Sequence, residues 1–220
     1  MYQNENVFSR TSESALATNK VLRNTYALLS ITLLFSAVMA FVGVAMKISV
    51  LTAIIADVVA FVILWFVLPR TANSAAGLPV IFAFTGLLGL GLGPVIARYL
   101  AVNPSIVMTA LGGTGVIFLS LSAYALTTKR DFSFMAGFLM VGMFVIIGAA
   151  ILNIFMQIPV LSLAISAAVI LIMSGFILYE TSSIINGGER NYIMATASLF
   201  LSILNIFTAL LRLLGALGDD

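Results

Sequence analysis

The amino-acid sequence predicts an all-α integral membrane protein with seven transmembrane helices. Of its 220 residues, 62% are hydrophobic and 8% are charged, whereas about 25% of the residues in a soluble domain are charged. The mean hydropathy of +1.19 is too high for a soluble globule of this size, whose surface would be largely apolar. The apolar residues form runs of about 20, the length of a membrane-spanning helix, and not the alternating segments of about ten that build a β-barrel.

Seven apolar segments fill most of the chain and predict one membrane domain, residues 21–215. The first segment is too long for the core of a signal peptide and is interpreted as a retained span. The predicted spans are residues 24–46, 48–68, 76–97, 105–127, 133–156, 160–179 and 193–214. Charged residues, prolines or short polar loops separate them, as expected where a chain leaves the bilayer. These breaks are Lys47, Pro69-Arg70, residues 98–104, residues 129–131, residues 157–159 and residues 181–191.

The distribution of lysine and arginine predicts the orientation, because cytoplasmic loops are enriched in both. With the N-terminus in the cytoplasm, seven basic residues lie inside and three outside. The inside set is Arg10, Lys20, Arg23, Arg70, Lys129, Arg130 and Arg190, and the outside set is Lys47, Arg98 and Arg212. Seven spans then place the C-terminus in the periplasm. If the last segment re-entered the membrane without crossing it, the C-terminus would also be inside.

Polar tails flank the predicted membrane domain. Residues 1–20 lack a sustained apolar pattern and predict a disordered or loosely helical cytoplasmic tail. This tail is either a plain leader or a segment that a protease or another partner could grip. Residues 216–220 form a short C-terminal tail.

The absence of cysteine and histidine from the sequence narrows the possible functions. It removes cysteine metal sites, thiol catalysis, histidine zinc and haem sites and serine–histidine catalysis. No pair of mid-membrane carboxylates is closely spaced, and the scattered basic residues do not suggest nucleic-acid binding. We therefore expect no enzyme activity, no cofactor and no certain metal site.

Asp57 lies near the middle of the second predicted span, in "LTAIIADVVAFVIL". A charged residue at a helix centre costs about 2.5–3.5 kcal/mol on insertion scales. Asp57 should therefore face the bundle interior, pair with a donor or stay protonated. It is a candidate for a proton or cation relay, and the alternative is a structural hydrogen bond to a neighbouring helix.

Glycines in the third and fourth spans predict close helix packing. Gly89 and Gly93 are four residues apart and precede Pro94, a pattern typical of a small-residue packing face followed by a kink. Gly112 and Gly113 open the fourth span and receive the same interpretation. A hinge in a pore is the alternative for these positions.

The last predicted span carries a polar stripe that indicates a central helix. Ser198, Ser202, Asn205 and Thr208 recur at helical spacing, and Arg212 follows four residues later. A stripe of this length is not expected to face lipid. It could supply hydrogen bonds between helices or line a polar path, and the sequence leaves both open.

Several motifs resemble the Bax inhibitor family of membrane proteins. They are "ALGGTGVIFLSLSAYALTTKRDFSF" (110–134), "ILNIFMQIP" (151–159) and "LYETSSIINGGERNYIMATASLFLSILNIFTALLRLLG" (178–215). The segments "KVLRNTYALLS" and "FAFTGLLGLGLGPVIARYL" resemble its bacterial YccA-like branch. The resemblance implies a seven-helix bundle whose last helix is surrounded by the other six. It also implies one of two functions: modulation of the membrane AAA protease FtsH in the bacterial inner membrane, or a pH-sensitive calcium or proton leak.

In the leak-channel members of this family, two aspartates on the sixth and seventh helices share a proton. By the same motifs, these positions are Glu180 and Ser202 here, so the carboxylate pair is broken. Glu180 can still form a hydrogen bond with Ser202, but the repulsion between like charges is lost. Glu180 is predicted at the cytoplasmic membrane edge, at the level of Arg70. The departure favours the protease modulator, and the leak channel is the alternative. The candidate residues for an ion or proton site are Glu180, Ser202, Arg70 and Asp57.

Overall fold

The computed structural model describes the backbone of residues 2–217 and the side chains of residues 16 and 18–217. Every regular element in this part of the chain is helical. The α-helices are α1 (Tyr2–Ala45), α2 (Val50–Val62), α3 (Leu68–Thr71), α4 (Gly77–Gly91), α5 (Gly93–Val102), α6 (Pro104–Thr128), α7 (Ala136–Met156), α8 (Pro159–Ile185) and α9 (Tyr192–Leu217). One π-helical turn, Ile63–Val67, joins α2 to α3, and a 3-10 turn, Ser133–Met135, precedes α7.

Seven segments within residues 2–217 are long and apolar enough to cross a membrane, which confirms the predicted fold class. They are Thr18–Ala45, Val50–Thr71, Gly77–Val102, Pro104–Thr128, Ser133–Met156, Pro159–Ile185 and Tyr192–Leu217. Helix α1 begins at Tyr2, so the stretch predicted as a polar tail continues the first span as helix up to that residue. Of the predicted C-terminal tail, residues 218–220 lie outside the described residues.

The helix ends form where the sequence supplies capping groups. The side-chain oxygen of Ser49 accepts a hydrogen bond from the Thr52 amide, and that of Asn103 accepts one from Ser105. Asn191 caps α9 by accepting from the amides of Ile193 at 2.9 Å and Met194 at 3.1 Å. Such caps satisfy amides that have no partner within the helix.

Helix α9 is the central helix of the bundle, as the polar stripe and the resemblance predict. It packs against α1, α4, α6 and α8. Of the 18 most apolar consecutive residues of α9, 61% are buried. The next highest share is 44%, in the third span. Phe200 of α9 packs edge-on against Phe84 of α4 in the main core cluster.

The third span packs closely on α1 through glycines. A Cβ added to Gly89 would overlap the Ser36 backbone of α1, and one added to Gly93 would lie 2.7 Å from the Gly43 carbonyl carbon. The span also breaks at Leu92, between α4 and α5 and next to Pro94, where the sequence predicts a kink.

The two glycines of the fourth span differ from each other. A Cβ added to Gly113 would lie 3.3 Å from a Leu210 methyl group of α9, so this glycine does face a neighbouring helix. Gly112 is exposed, and nothing lies within 4 Å of where its Cβ would be. The prediction that Gly112 packs against another helix is wrong, because α6 turns this position away from the bundle.

Candidate functional site

Glu180 is half-buried in the bundle and lies five residues before the end of α8. Helix α8 continues to Ile185, and beyond Glu180 it buries Thr181, Ser182 and Ile184 against the bundle. The Glu180 side chain is directed toward α9, where its Oε2 atom lies 3.5 Å from the Ser202 hydroxyl. The structure therefore brings Glu180 and Ser202 together.

The contact between Glu180 and Ser202 is a weak hydrogen bond. Its length of 3.5 Å is at the outer limit for such bonds. The Ser202 hydroxyl also lies 3.2 Å from the Ser198 carbonyl of its own helix. Because a hydroxyl has one proton to donate, these two acceptors compete for it.

Arg70 makes no hydrogen bond or ion pair with Glu180 among the described contacts. Its guanidinium donates to the Phe66 carbonyl of its own helix and is exposed. Among the side chains that the structure describes, no lysine or arginine lies within 4 Å of the Glu180 carboxylate. The structure does not pair Glu180 with Arg70, because the Glu180 side chain is directed toward Ser202 of α9 and the Arg70 guanidinium toward the Phe66 carbonyl.

Hydroxyl and amide groups next to Glu180 attach α8 to its neighbours, and the sequence did not point to them. The Ser182 hydroxyl donates to the Arg130 carbonyl at 3.0 Å and accepts from the Phe132 amide at 3.0 Å. It also accepts from the Asn186 side chain at 3.1 Å. Ser182 therefore fixes the loop between the fourth and fifth spans to α8. The break predicted at residues 181–191 therefore begins later than the sequence indicates, after α8 ends at Ile185.

The same loop holds an exposed carboxylate in a different environment. The hydroxyl and the backbone amide of Ser133 both donate to Asp131. Both hydrogen bonds lower the pKa of Asp131, and the bond from the Ser133 hydroxyl has the larger effect. Asp131 is therefore a charged surface residue that positions the start of the fifth span.

Among the described residues, two buried hydroxyl groups have no hydrogen-bond partner. They belong to Thr25 of α1 and Ser122 of α6. Tyr26, which follows Thr25, packs against Phe118 of α6 and lies 3.2 Å from the Thr181 hydroxyl of α8. Unpaired buried hydroxyls are positions where an ordered water would restore the missing hydrogen bonds.

The polar face of α9 is satisfied mainly within its own helix. Asn205 donates to the Leu201 carbonyl at 2.8 Å, and Thr208 donates to the Asn205 carbonyl at 3.1 Å. Among the described hydrogen bonds, Ser202 is the one residue of this face that contacts another helix. The face is therefore a partly buried polar stripe whose four members, among the described hydrogen bonds, reach another helix only at Glu180.

Asp57 lies apart from Glu180, at the opposite end of the bundle. Its carboxyl group packs directly against Gly91, where a Cβ would overlap it. It lines a cavity of about 660 Å³ together with Arg98, Thr208 and Arg212. Thus the four candidate ion or proton residues, Glu180, Ser202, Arg70 and Asp57, fall into three places, and only Glu180 and Ser202 are in contact.

The described residues contain no group of three or more aspartates, glutamates, histidines or cysteines that could hold a metal ion. Calcium in proteins takes six to eight oxygen ligands, several of them carboxylates. Among the lining residues of its cavity, Asp57 is the single carboxylate.

Known proteins are similar to this chain along nearly its whole length. The family model described as "Inhibitor of apoptosis-promoting Bax1" matches residues 18–219. An uncharacterized membrane protein of Vibrio cholerae is 49% identical over 221 residues, which cover 99% of this chain and 99% of the relative. A protein of Escherichia coli K12 named "Modulator of FtsH protease YccA" is 48% identical over 213 residues, 96% of this chain and 97% of the relative. A protein of Escherichia coli O6:H1 named "Inner membrane protein YccA" matches equally well, at 48% identity over 96% of this chain and 97% of the relative.

Proposed function

Since this chain belongs to the Bax inhibitor family, we propose that it acts as an inner-membrane modulator of the FtsH protease. The observation that carries the proposal is the near full-length similarity to the Escherichia coli protein of that name. The chain would act by binding within the membrane and not by catalysis. In support, the two carboxyl groups Glu180 and Asp57 lie at separate places, and the group paired with Glu180 is the Ser202 hydroxyl and not a second carboxylate.

We place the N-terminus in the cytoplasm. Of the basic side chains that the structure describes, six lie at the end of the bundle where the first span begins: Lys20, Arg23, Arg70, Lys129, Arg130 and Arg190. Lys47, Arg98 and Arg212 lie at the opposite end. This bias supports the orientation.

The C-terminus then lies in the periplasm, since α9 extends from one end of the bundle to the other. At its start, the Asn191 side chain donates to Asn73 in the loop between the second and third spans. Near its end, Gly215 packs against the ring of Tyr99, close to the end of the third span. These contacts support a crossing helix and not a re-entrant segment.

The N-terminal part of α1 is the part of the chain best placed to meet the protease. Helix α1 begins at Tyr2, whereas the apolar span begins at Thr18. In the proposed orientation this extension lies on the cytoplasmic side. It would present the chain to the protease while the seven spans bind the complex within the bilayer.

Co-purification from solubilised membranes tests the proposal. The tagged chain should retain FtsH and slow the degradation of a membrane protein that FtsH cleaves, with the Escherichia coli relative as the positive control. A chain lacking residues 2–17 should still retain FtsH but lose its effect on degradation. Failure to retain FtsH under conditions in which the relative does so would overturn the proposal.

A leak channel is the second candidate, favoured by the polar stripe of α9. The stripe leads from Ser202, beside Glu180, to Thr208 and Arg212 in the Asp57 cavity. The cavity ends at Thr208, about 9 Å along the helix from Ser202. A cation entering it would also meet two guanidinium groups, which repel cations.

Calcium flux into liposomes separates the two candidates. Purified protein, with Glu180→Gln and Asp57→Asn alongside, would be assayed from pH 6 to pH 8. A protein that serves only as a modulator should give no more flux than empty liposomes. A flux that depends on the protein, on pH and on either substitution would place the leak channel first.

A further inference from the structure

A cavity between α2, α5, α8 and α9 opens at the end of the bundle away from the start of the first span. Its volume of about 660 Å³ is within the range of small-molecule sites, roughly 300–1,000 Å³. In the proposed orientation it faces the periplasmic leaflet. It has no part in the proposed action on FtsH.

The charges that line the cavity sum to one positive charge. Arg98 and Arg212 are exposed, and Asp57 is half-buried. Side chains in the described part of the chain offer none of the three an ion-pair partner within 4 Å. Two guanidinium groups at a membrane surface favour an anion, and phosphate suits them because it accepts paired hydrogen bonds from each.

The guanidinium groups lie nearer the membrane surface than the carboxyl group. Asp57 is seven residues from the start of its span at Val50, about 10 Å along the helix. Arg98 is four residues from the end of its span and Arg212 five, about 6–8 Å. Long arginine side chains near helix ends extend toward the lipid headgroups. A ligand held here would place its anionic group at the mouth and a hydrogen-bond donor deeper inside.

The rim of the cavity is apolar and faces the lipid. Val50, Ile54, Val95 and Val102 line it, and all four are exposed on the surface of the bundle. A soluble anion would gain nothing from such a rim, whereas an amphipathic molecule would bury apolar surface against it.

We propose that this cavity binds the headgroup of a phospholipid from the surrounding leaflet. Arg98 and Arg212 bind the phosphodiester group, and the rim contacts the glycerol backbone and the first carbons of the acyl chains. Asp57 accepts a hydrogen bond from a donor at the end of the headgroup, either the ammonium group of phosphatidylethanolamine or the hydroxyl groups of phosphatidylglycerol. Phosphatidylcholine has no such donor and should bind more weakly.

Native mass spectrometry of the detergent-purified full chain tests the site, with these three lipids and glycerol 3-phosphate added separately. We expect retention of phosphatidylethanolamine or phosphatidylglycerol. Arg98→Gln combined with Arg212→Gln should lower that affinity about tenfold or more, as the loss of charge-assisted hydrogen bonds predicts. Lys47→Gln is the matched control, because Lys47 lies exposed at the same end but outside the cavity. It should leave the affinity unchanged.

Two further variants keep the test decisive if the double substitution impairs folding. Ile54→Trp should fill the rim and lower lipid retention with every charge kept. Asp57→Leu should remove the preference over phosphatidylcholine. Equal lipid retention by the wild type and the folded arginine or rim variants would overturn the site. Equal binding of glycerol 3-phosphate would overturn the lipid as occupant, and equal retention of phosphatidylcholine by the wild type would overturn the role of Asp57.

Discussion

Substitution of Gly89 by alanine should loosen the packing of the third span on α1. The added Cβ would lie 2.7 Å from the Ser36 hydroxyl and 2.9 Å from the Ser36 carbonyl carbon. Carbon atoms in ordinary contact are about 3.5–4.0 Å apart, so the two helices must separate by roughly 0.6–1 Å. The obstruction is backbone, which cannot rotate aside.

The expected loss in the free energy of unfolding is about 2 kcal/mol, in the range of other overpacked cores. The separation also affects the Gly43–Gly93 contact of the same interface, because a Cβ on Gly93 would already lie 2.9 Å from the Gly43 Cα atom. Gly112→Ala is the matched control. Its Cβ meets nothing within 4 Å, so this variant should be unchanged or more stable by up to about 1 kcal/mol, the helix-propensity difference between glycine and alanine.

The assay is unfolding of both purified variants by SDS in mixed micelles, followed by circular dichroism. Both substitutions change glycine to alanine within a helix. The difference between the two variants therefore isolates the contact with α1, and we expect about 2–3 kcal/mol. If Gly89→Ala proved as stable as Gly112→Ala, the inferred backbone contact between the two helices would be wrong.

Three other substitutions have specific expected outcomes. Asn191→Ala removes the cap of α9 and should lower the free energy of unfolding by about 1 kcal/mol. Asn73→Ala removes only the hydrogen bond between the two loops and should lower it less. A larger loss for Asn73→Ala would contradict the assignment of Asn191 as the cap of α9. Ser182→Ala frees the loop between the fourth and fifth spans and should speed its cleavage by trypsin in proteoliposomes. Ser183→Ala should not change the cleavage rate. Equal cleavage rates for the two variants would rule out the attachment of this loop to Ser182. Glu180→Gln should leave FtsH retention and substrate degradation unchanged, and a clear change in calcium flux with this substitution would contradict the modulator role.

Part of the candidate site could be predicted from the sequence. The motifs around Glu180 and Ser202 place both residues on the last two spans, and the structure joins them at 3.5 Å. The end of α8 could not be predicted, because the apolar run ends at Glu180 while the helix continues to Ile185. The role of Ser182 could not be predicted, because its partners Arg130 and Phe132 lie about fifty residues away in the chain. The hydropathy pattern does not show which loop lies beside α8.

The sequence by itself determined the number of spans, their order and the polar face of the last one. These are properties of single segments: a bilayer forces each long apolar run to satisfy its backbone as a helix, whatever its neighbours are. Only the tertiary structure decided how each helix is rotated about its axis and which helices touch. That rotation turns Gly112 toward lipid and Gly89 toward α1, and it gathers Asp57, Arg98 and Arg212 from three spans around one cavity. It depends on side-chain packing between segments far apart in the chain, which the hydropathy of one segment does not contain.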